Sequence, residues 1–195
     1  MSFSIYVGLV RSGTVRHPLR VSALRCAVSR YRPLGFHATW DYLVSRAGRV
    51  NRDEAALLRA LETLLTSRNA WLAEMADYAA HRKVAKRTRR VPPPGEYRRL
   101  TGFRWPGPDA HDATRYTVEA LSARLREASY SDPRSAELHR RAMTCASAYL
   151  DGRPHDDLHA CLADLDGVRL DYRTEEFGHF RRLGKMVELI VHDTP

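Results

Sequence analysis

The sequence predicts a mainly α protein, a bundle-like domain of six to seven helices. Apolar residues recur at three- and four-residue spacings through most of the chain, as they do on one face of an amphipathic helix. Helix-starting residues such as Pro18 and Asn51 precede several of these stretches. The 195 residues, 44% of them hydrophobic, are enough to bury a core without disulfides or metals.

Three short segments depart from this helical period. Apolar and more polar residues alternate from residue 3 to residue 9, ahead of Ser12-Gly13, which is typical of a strand. Residues 168–172 alternate in the same way, and residues 188–192 form a candidate third strand. We therefore allow for a small sheet of two or three strands that joins the two ends of the chain, because a lone strand is unstable.

The first half of the chain contains three predicted helices. Pro18 opens one that extends to about residue 31, and a second covers about residues 37–47 and ends at Gly48. The third has the strongest pattern. It opens with Asn51 as N-cap and Glu54 three residues later, and it reaches Arg87 either unbroken or with a new start near Asn69.

A segment rich in Pro, Arg and aromatic residues, 88–109, shows no periodicity and separates the two halves. Four further helices are predicted after it, at about residues 112–128, 133–150, 154–165 and 175–187. The predicted organisation is a basic helical region at 1–87, the linker at 88–109, and a mildly acidic helical region at 110–195. In the alternative, the two helical regions pack together as one domain.

Charge is distributed unevenly between these regions. Residues 1–104 hold 20 Lys and Arg against 7 Asp and Glu, whereas residues 105–195 hold 12 against 16. No acidic residue precedes Asp41. A cationic half of this kind favours a polyanionic partner.

Other compositional features narrow the class of protein. Three cysteines without CxxC spacing disfavour a disulfide framework and a cysteine zinc site. The apolar start lacks a basic region and a cleavage site, which disfavours a signal peptide. No apolar run approaches the roughly 20 residues that a bilayer span needs. The expectation is a cytoplasmic protein that has no membrane segment.

A basic block at residues 82–90 is the first candidate site. Six of its nine residues are cationic and none is acidic, and such crowding costs free energy unless anions neutralise it. Its candidate phosphate-binding residues are Arg82, Lys83, Lys86, Arg87, Arg89 and Arg90. The alternative is a solvated helix end, where cations complement the helix dipole.

The linker supplies the second candidate set. Arg98, Arg99, Arg104 and Trp105 interleave cations with an aromatic ring, a combination that holds phosphates and stacks on unpaired bases. The alternative is that Phe103 and Trp105 hold the linker against the helical core.

Two other patterns suggest a function. Residues 18–47 resemble two helices of a helix-turn-helix, in which His37, Thr39, Ser45 and Arg46 would face a groove. His155 and His159 have the spacing of two metal ligands, but a third ligand is not evident. No nucleophile, phosphate-loop or dinucleotide motif is found, so we predict no catalytic residue, no metal and no cofactor.

The favoured hypothesis is a nucleic-acid-binding helical protein that grips phosphates without sequence specificity. The second hypothesis is an assembly or adaptor protein. In that case the cationic half would contact the acidic half of another copy, giving a homo-oligomer, or an acidic protein partner. The third is an enzyme that acts on an anionic small molecule held by arginines.

Overall fold

A computed structural model describes residues 2–88, 100–128, 130, 132–154, 157–168 and 175–193. Within these ranges the chain forms eight helices and no strand. The helices are α1 Phe3–Arg11, α2 His17–Arg30, α3 Phe36–Ala47, α4 Glu54–Arg87, α5 Ala110–Leu125, α6 Pro133–Leu150, α7 Leu158–Asp166 and α8 Glu175–Asp193. The mainly α fold class is confirmed.

The chain divides into two compact units, Met1–Ala110 and His111–Pro195. The first unit contains α1 to α4, and the second contains α5 to α8 apart from the first residue of α5. Residues 100–109, the described end of the predicted linker, belong to the first unit. In the described part of the chain, no helix combines the length and apolar character needed to cross a membrane.

The predicted strand at residues 3–9 was wrong, because this segment forms α1. Nearly every second residue there is apolar, but some of the apolar residues also share one face of a helix, at three- and four-residue spacings. They are Phe3, Tyr6, Val7 and Val10. Val10 is buried, whereas Ile5 and Leu9 remain 49% and 36% exposed. The helical spacing prevails because it places an apolar face against α2 and α4.

The predicted strand at residues 188–192 was also wrong, since these residues lie in α8. Met186, Val187, Leu189 and Ile190 are all buried. A helix buried on several faces gives a short continuous apolar run, which sequence periodicity alone cannot distinguish from a strand. The candidate strand at 168–172 lies outside the described residues except for Val168.

The N-terminal half of α4 is the centre of the first unit. Leu57, Leu61 and Leu64 are buried, and this half packs against α1, α2 and α3. The helix runs unbroken through residues 67–69, where the sequence left a restart open. Ser67 is buried instead, with its hydroxyl 3.0 Å from the hydroxyl of Tyr31.

The N-cap of α4 is Asp53 rather than the predicted Asn51. The chain turns at residues 49–53, where the backbone N–H of Asp53 donates to the carbonyl of Arg49. The Asp53 carboxylate then accepts from the backbone N–H of Ala55 at 2.9 Å. A carboxylate at this position accepts a hydrogen bond from a backbone N–H that has no partner within the helix. Its negative charge also interacts favourably with the positive end of the helix dipole.

Replacing Asp53 with alanine is expected to lower the free energy of unfolding by about 1 kcal/mol, because the cap bond to Ala55 is lost. Urea unfolding followed by circular dichroism measures the change. Asp53→Asn is the control, since an amide oxygen also caps and should retain most of the stability. An equal loss in both variants would show that the charge, not the cap bond, carries the effect.

In the second unit α6 packs against α7 and α8, and α7 packs against α8. Asp132 caps α6, as the Asp132-Pro133 pair predicts, and accepts from the Ser135 backbone N–H at 2.8 Å. That bond is the main reason that the pKa of Asp132 is lowered. The Ser122 hydroxyl of α5 donates to the carbonyl of Val118 at 2.8 Å and lies 3.4 Å from the Met186 sulfur of α8.

Candidate nucleic-acid interface

Four cations lie along the end of α4: Arg82, Lys83, Lys86 and Arg87, here called the cationic ridge. All four are exposed. No residue of α4 after Ser67 is buried, although Trp71 and Glu74 still contact residues 100–104. Arg82 and Lys86 are one turn apart, as are Lys83 and Arg87, which gives two adjacent cationic rows.

The cationic ridge is not neutralised by the described part of the protein. No carboxylate in the described ranges lies within ion-pair distance of any of its four members. Other arginines of the first unit do have such partners: Arg11 pairs with Glu62, Arg20 with Glu54, Arg46 with Asp109, Arg59 with Asp53 and Arg104 with Glu74. The ridge therefore keeps its positive charge at the surface.

The helix dipole accounts for only part of this cluster. Lys86 and Arg87 occupy the last turn of α4, where cations are favoured by up to about 1 kcal/mol at an exposed site. Arg82 and Lys83 precede that turn, and the effect falls off within it. The dipole thus gives no reason for the first two cations of the cationic ridge.

A shallow groove of about 360 Å³ runs beside the cationic ridge. Met75, Tyr78 and Ala79 contribute its apolar part, and Arg82, Lys83 and Lys86 contribute its charged part. An apolar floor beside cations can hold the sugar and base portions of a chain whose phosphates contact the arginine and lysine heads.

Arg104 and Trp105, which the sequence assigned to the interface, are placed elsewhere. The Arg104 guanidinium is largely buried and pairs with both carboxylate oxygens of Glu74. Burial also lowers the pKa of Arg104. Its charge is balanced within the protein, so it is a poor candidate for a phosphate contact.

Trp105 is 2% exposed and packs edge-on against Tyr42, with ring centroids 4.9 Å apart. Gly107 follows with φ +98°, and a Cβ added to it would lie 3.3 Å from the Cβ of Ala70 on α4. This close approach holds the segment against the core. Trp105 therefore offers no face to a base, which corrects its assignment as an interface residue and agrees with the alternative that it anchors the linker.

The remaining assigned residues, Arg89, Arg90, Arg98 and Arg99, lie outside the described residues. Of the assigned residues, Arg82, Lys83, Lys86 and Arg87 are exposed, and their contact with nucleic acid stays a prediction from charge density. The sequence did not distinguish cations that face solvent from those that pair internally.

The structure makes some of the residues that the helix-turn-helix hypothesis assigns to a DNA groove unavailable for that contact. Thr39 is buried, and its hydroxyl accepts from the backbone N–H of Leu34 at 3.2 Å. Arg46 lies 3.6 Å from a carboxylate oxygen of Asp109. Two of the four residues that would face a groove are therefore occupied within the first unit.

The metal hypothesis rested on His155 and His159, and His155 lies outside the described residues. In the ranges that the structure covers, no group of three or more His, Cys, Asp or Glu side chains is arranged to hold a metal ion.

A polar cluster in the second unit was not assigned from the sequence. The Asp193 carboxylate accepts from the Tyr149 hydroxyl at 2.6 Å and lies 2.6 Å from Nδ1 of His111. Burial and the nearby carboxylate raise the pKa of Tyr149. The cluster ties the ends of α5, α6 and α8 together. Its members are up to 82 positions apart, so no local spacing could reveal it.

Comparison with known proteins returned no match: no family model, no curated protein and no solved structure is similar to this chain. The functional proposal therefore depends on the residues of this chain alone.

Proposed function

We propose that this protein binds nucleic acid through the cationic ridge, by contacts to phosphates rather than to bases. The supporting observation is that four exposed cations on one stretch of α4 have no carboxylate partner in the described part of the chain. Crowded like charges cost free energy, and a bound polyanion removes that cost.

The dimensions of the cationic ridge suit a phosphate backbone. Arg87 follows Arg82 by five positions, which is about 7.5 Å along the helix axis. Duplex DNA carries one negative charge per roughly 1.7 Å of its axis, so the same length presents four or five phosphates. Four cations over this distance thus approximately match the charge density of a duplex.

Binding of this kind releases counterions and weakens with salt. Four phosphate contacts give a slope of about −3.6 in log K against log salt, so the association constant should fall on the order of 10²-fold between 50 and 200 mM salt. Fluorescence anisotropy with labelled single-stranded DNA, duplex DNA and RNA measures this slope.

Charge reversal of the cationic ridge tests the proposal. The variant R82E/K83E/K86E/R87E is expected to lose the salt dependence and most of the affinity on every sequence alike. The matched control is R16E/R49E/R52E/R126E, which makes the same change in net charge at four exposed arginines that are not part of the ridge. Its affinity should fall much less.

Two outcomes would count against the proposal. One is the absence of binding to all three nucleic acids at 20 mM salt, and the other is an equal loss in the two variants. Salt-sensitive self-association of the protein alone, seen by light scattering together with either outcome, would support the assembly hypothesis instead.

A further inference from the structure

A second surface feature of the first unit is a cavity of about 430 Å³ between the end of α2, the middle of α4 and residues 100–106. We call it the aromatic cavity. Its volume lies within the range of about 300–1,000 Å³ that small-molecule sites occupy. It lies apart from the cationic ridge, because Trp71, the last cavity residue on α4, precedes Arg82 by 11 positions, about 16.5 Å along the helix.

Aromatic rings in mutual contact form one wall of the aromatic cavity. Phe3 and Tyr31 meet edge to face with centroids 6.5 Å apart, and Tyr31 and Trp71 follow at 5.9 Å. Phe103 lines the cavity from the segment after residue 100. Together these four rings give the cavity an aromatic lining.

The polar atoms of this wall are already hydrogen-bonded. The Trp71 indole N–H donates to the carbonyl of Leu100 at 3.2 Å, and the Tyr31 hydroxyl contacts Ser67. Burial raises the pKa of Tyr31 to about 12, so the phenol stays neutral at physiological pH and places no negative charge in the cavity. The wall therefore offers ring surface and does not repel an anion.

Guanidinium groups surround these rings. Arg30, Arg32 and Arg68 line the cavity, and none of the described lining residues is acidic. Arg30 and Arg32 are exposed, and no carboxylate in the described ranges pairs with them. Arg68 lies over the Phe3 ring, 4.3 Å from its centroid. Stacking occupies one face of its guanidinium and leaves the N–H edge for an anion.

We infer that the aromatic cavity binds a nucleoside monophosphate unit, with its base among the four rings and its phosphate among Arg30, Arg32 and Arg68. A bare inorganic anion would leave the ring wall unused, and a neutral aromatic ligand would leave three arginines without a partner. A planar ring joined to a phosphate uses both features. The unit has two sources, a free nucleotide or the terminal nucleotide of a single strand. The inference does not depend on the function proposed for the cationic ridge.

Isothermal titration calorimetry of the whole protein tests this inference. The compounds titrated are the four nucleoside monophosphates, adenosine and inorganic phosphate. At least one monophosphate should bind about tenfold or more tightly than adenosine or phosphate alone, because hydrogen bonds to charged groups and base stacking each contribute at that level. Failure of all four monophosphates to bind, or phosphate binding as tightly as any of them, overturns the inference.

Two variants locate the site. R30Q/R32Q should weaken the monophosphate about tenfold or more, because two exposed phosphate donors are lost. The matched control R49Q/R52Q removes two exposed arginines that do not line the cavity and should bind as the parent protein does. Phe103→Leu keeps an apolar side chain but removes a ring, so it should reduce the preference for monophosphate over phosphate. Unchanged binding in both cavity variants would place the ligand elsewhere and reject the site.

A 5′-phosphorylated trinucleotide, titrated into the parent protein and into the charge-reversed ridge variant, separates the two sources. Tighter binding of the trinucleotide than of the monophosphate in both proteins assigns the cavity to a strand end. Equal or weaker binding assigns it to a free nucleotide. The ridge variant keeps monophosphate binding if the two sites are independent, so the failure of one proposal is distinguishable from the failure of the other.

Discussion

Trp105→Ala is expected to lower the free energy of unfolding by about 3–5 kcal/mol, which is the usual cost of removing a buried tryptophan. The indole is 2% exposed, and it fills the space beside Tyr42. Its loss leaves a cavity beside Tyr42 that closely packed surroundings fill only in part. Thermal and urea unfolding, monitored by circular dichroism, measure the change.

The same variant separates the two interpretations of the linker aromatics. At a temperature where Trp105→Ala remains folded, its affinity for single-stranded DNA should equal that of the parent protein, because the ring does not reach the surface. Trp105→Phe is the control, and it should recover part of the stability through its ring contact with Tyr42. A folded Trp105→Ala protein with strongly weakened DNA binding would contradict the anchoring role.

Arg20→Leu is expected to lower the free energy of unfolding by about 2 kcal/mol, because a buried carbonyl loses its hydrogen-bond donor. Arg20 is 3% exposed, and its Nε–H donates to the carbonyl of Val10 at 2.7 Å, near the end of α1. Its Nη1 lies 2.8 Å from the carboxylate of Glu54 in the first turn of α4. One side chain of α2 therefore connects the negative end of α1 to the positive end of α4.

Glu54→Gln separates the two bonds of Arg20. The Glu54 side chain is 61% exposed, and ion pairs at exposed positions contribute about 1 kcal/mol or less. We therefore expect a smaller loss for Glu54→Gln than for Arg20→Leu in the same urea titration. Equal losses would mean that the ion pair, rather than the bond to Val10, is the stabilising contact.

Most of the helices could be predicted because they have local signals. The helices predicted to begin near residues 17, 37 and 133 each begin within one residue of these positions. A Pro, a Gly or an Asp-Pro pair marks each start, and a stretch with apolar residues at helical spacing follows it. The N-terminal segment was wrongly predicted as a strand, because its many apolar residues satisfy both a period of two and a period of 3.6. Only contact with α2 and α4 decides between them.

The candidate sites were predictable to different extents. The cationic ridge is contiguous in sequence, so charge density alone reveals it. The aromatic cavity draws on Phe3, Tyr31, Trp71 and Phe103, which lie far apart along the chain, and no local spacing connects them. Counting charges also could not show that Arg20 and Arg104 are matched internally, because both acquire their partners only when the first unit folds.

The long helix α4 has buried side chains only up to Ser67, and Trp71 and Glu74 still contact residues 100–104. The last turns, which carry the cationic ridge, have no buried side chain, and their like charges oppose helix formation. An anion bound to the last turns removes that opposition. If nucleic acid binds to the cationic ridge as proposed, occupancy and the helicity of these turns are consequently linked, and we expect a more persistent end of α4 in the bound protein than in the free one.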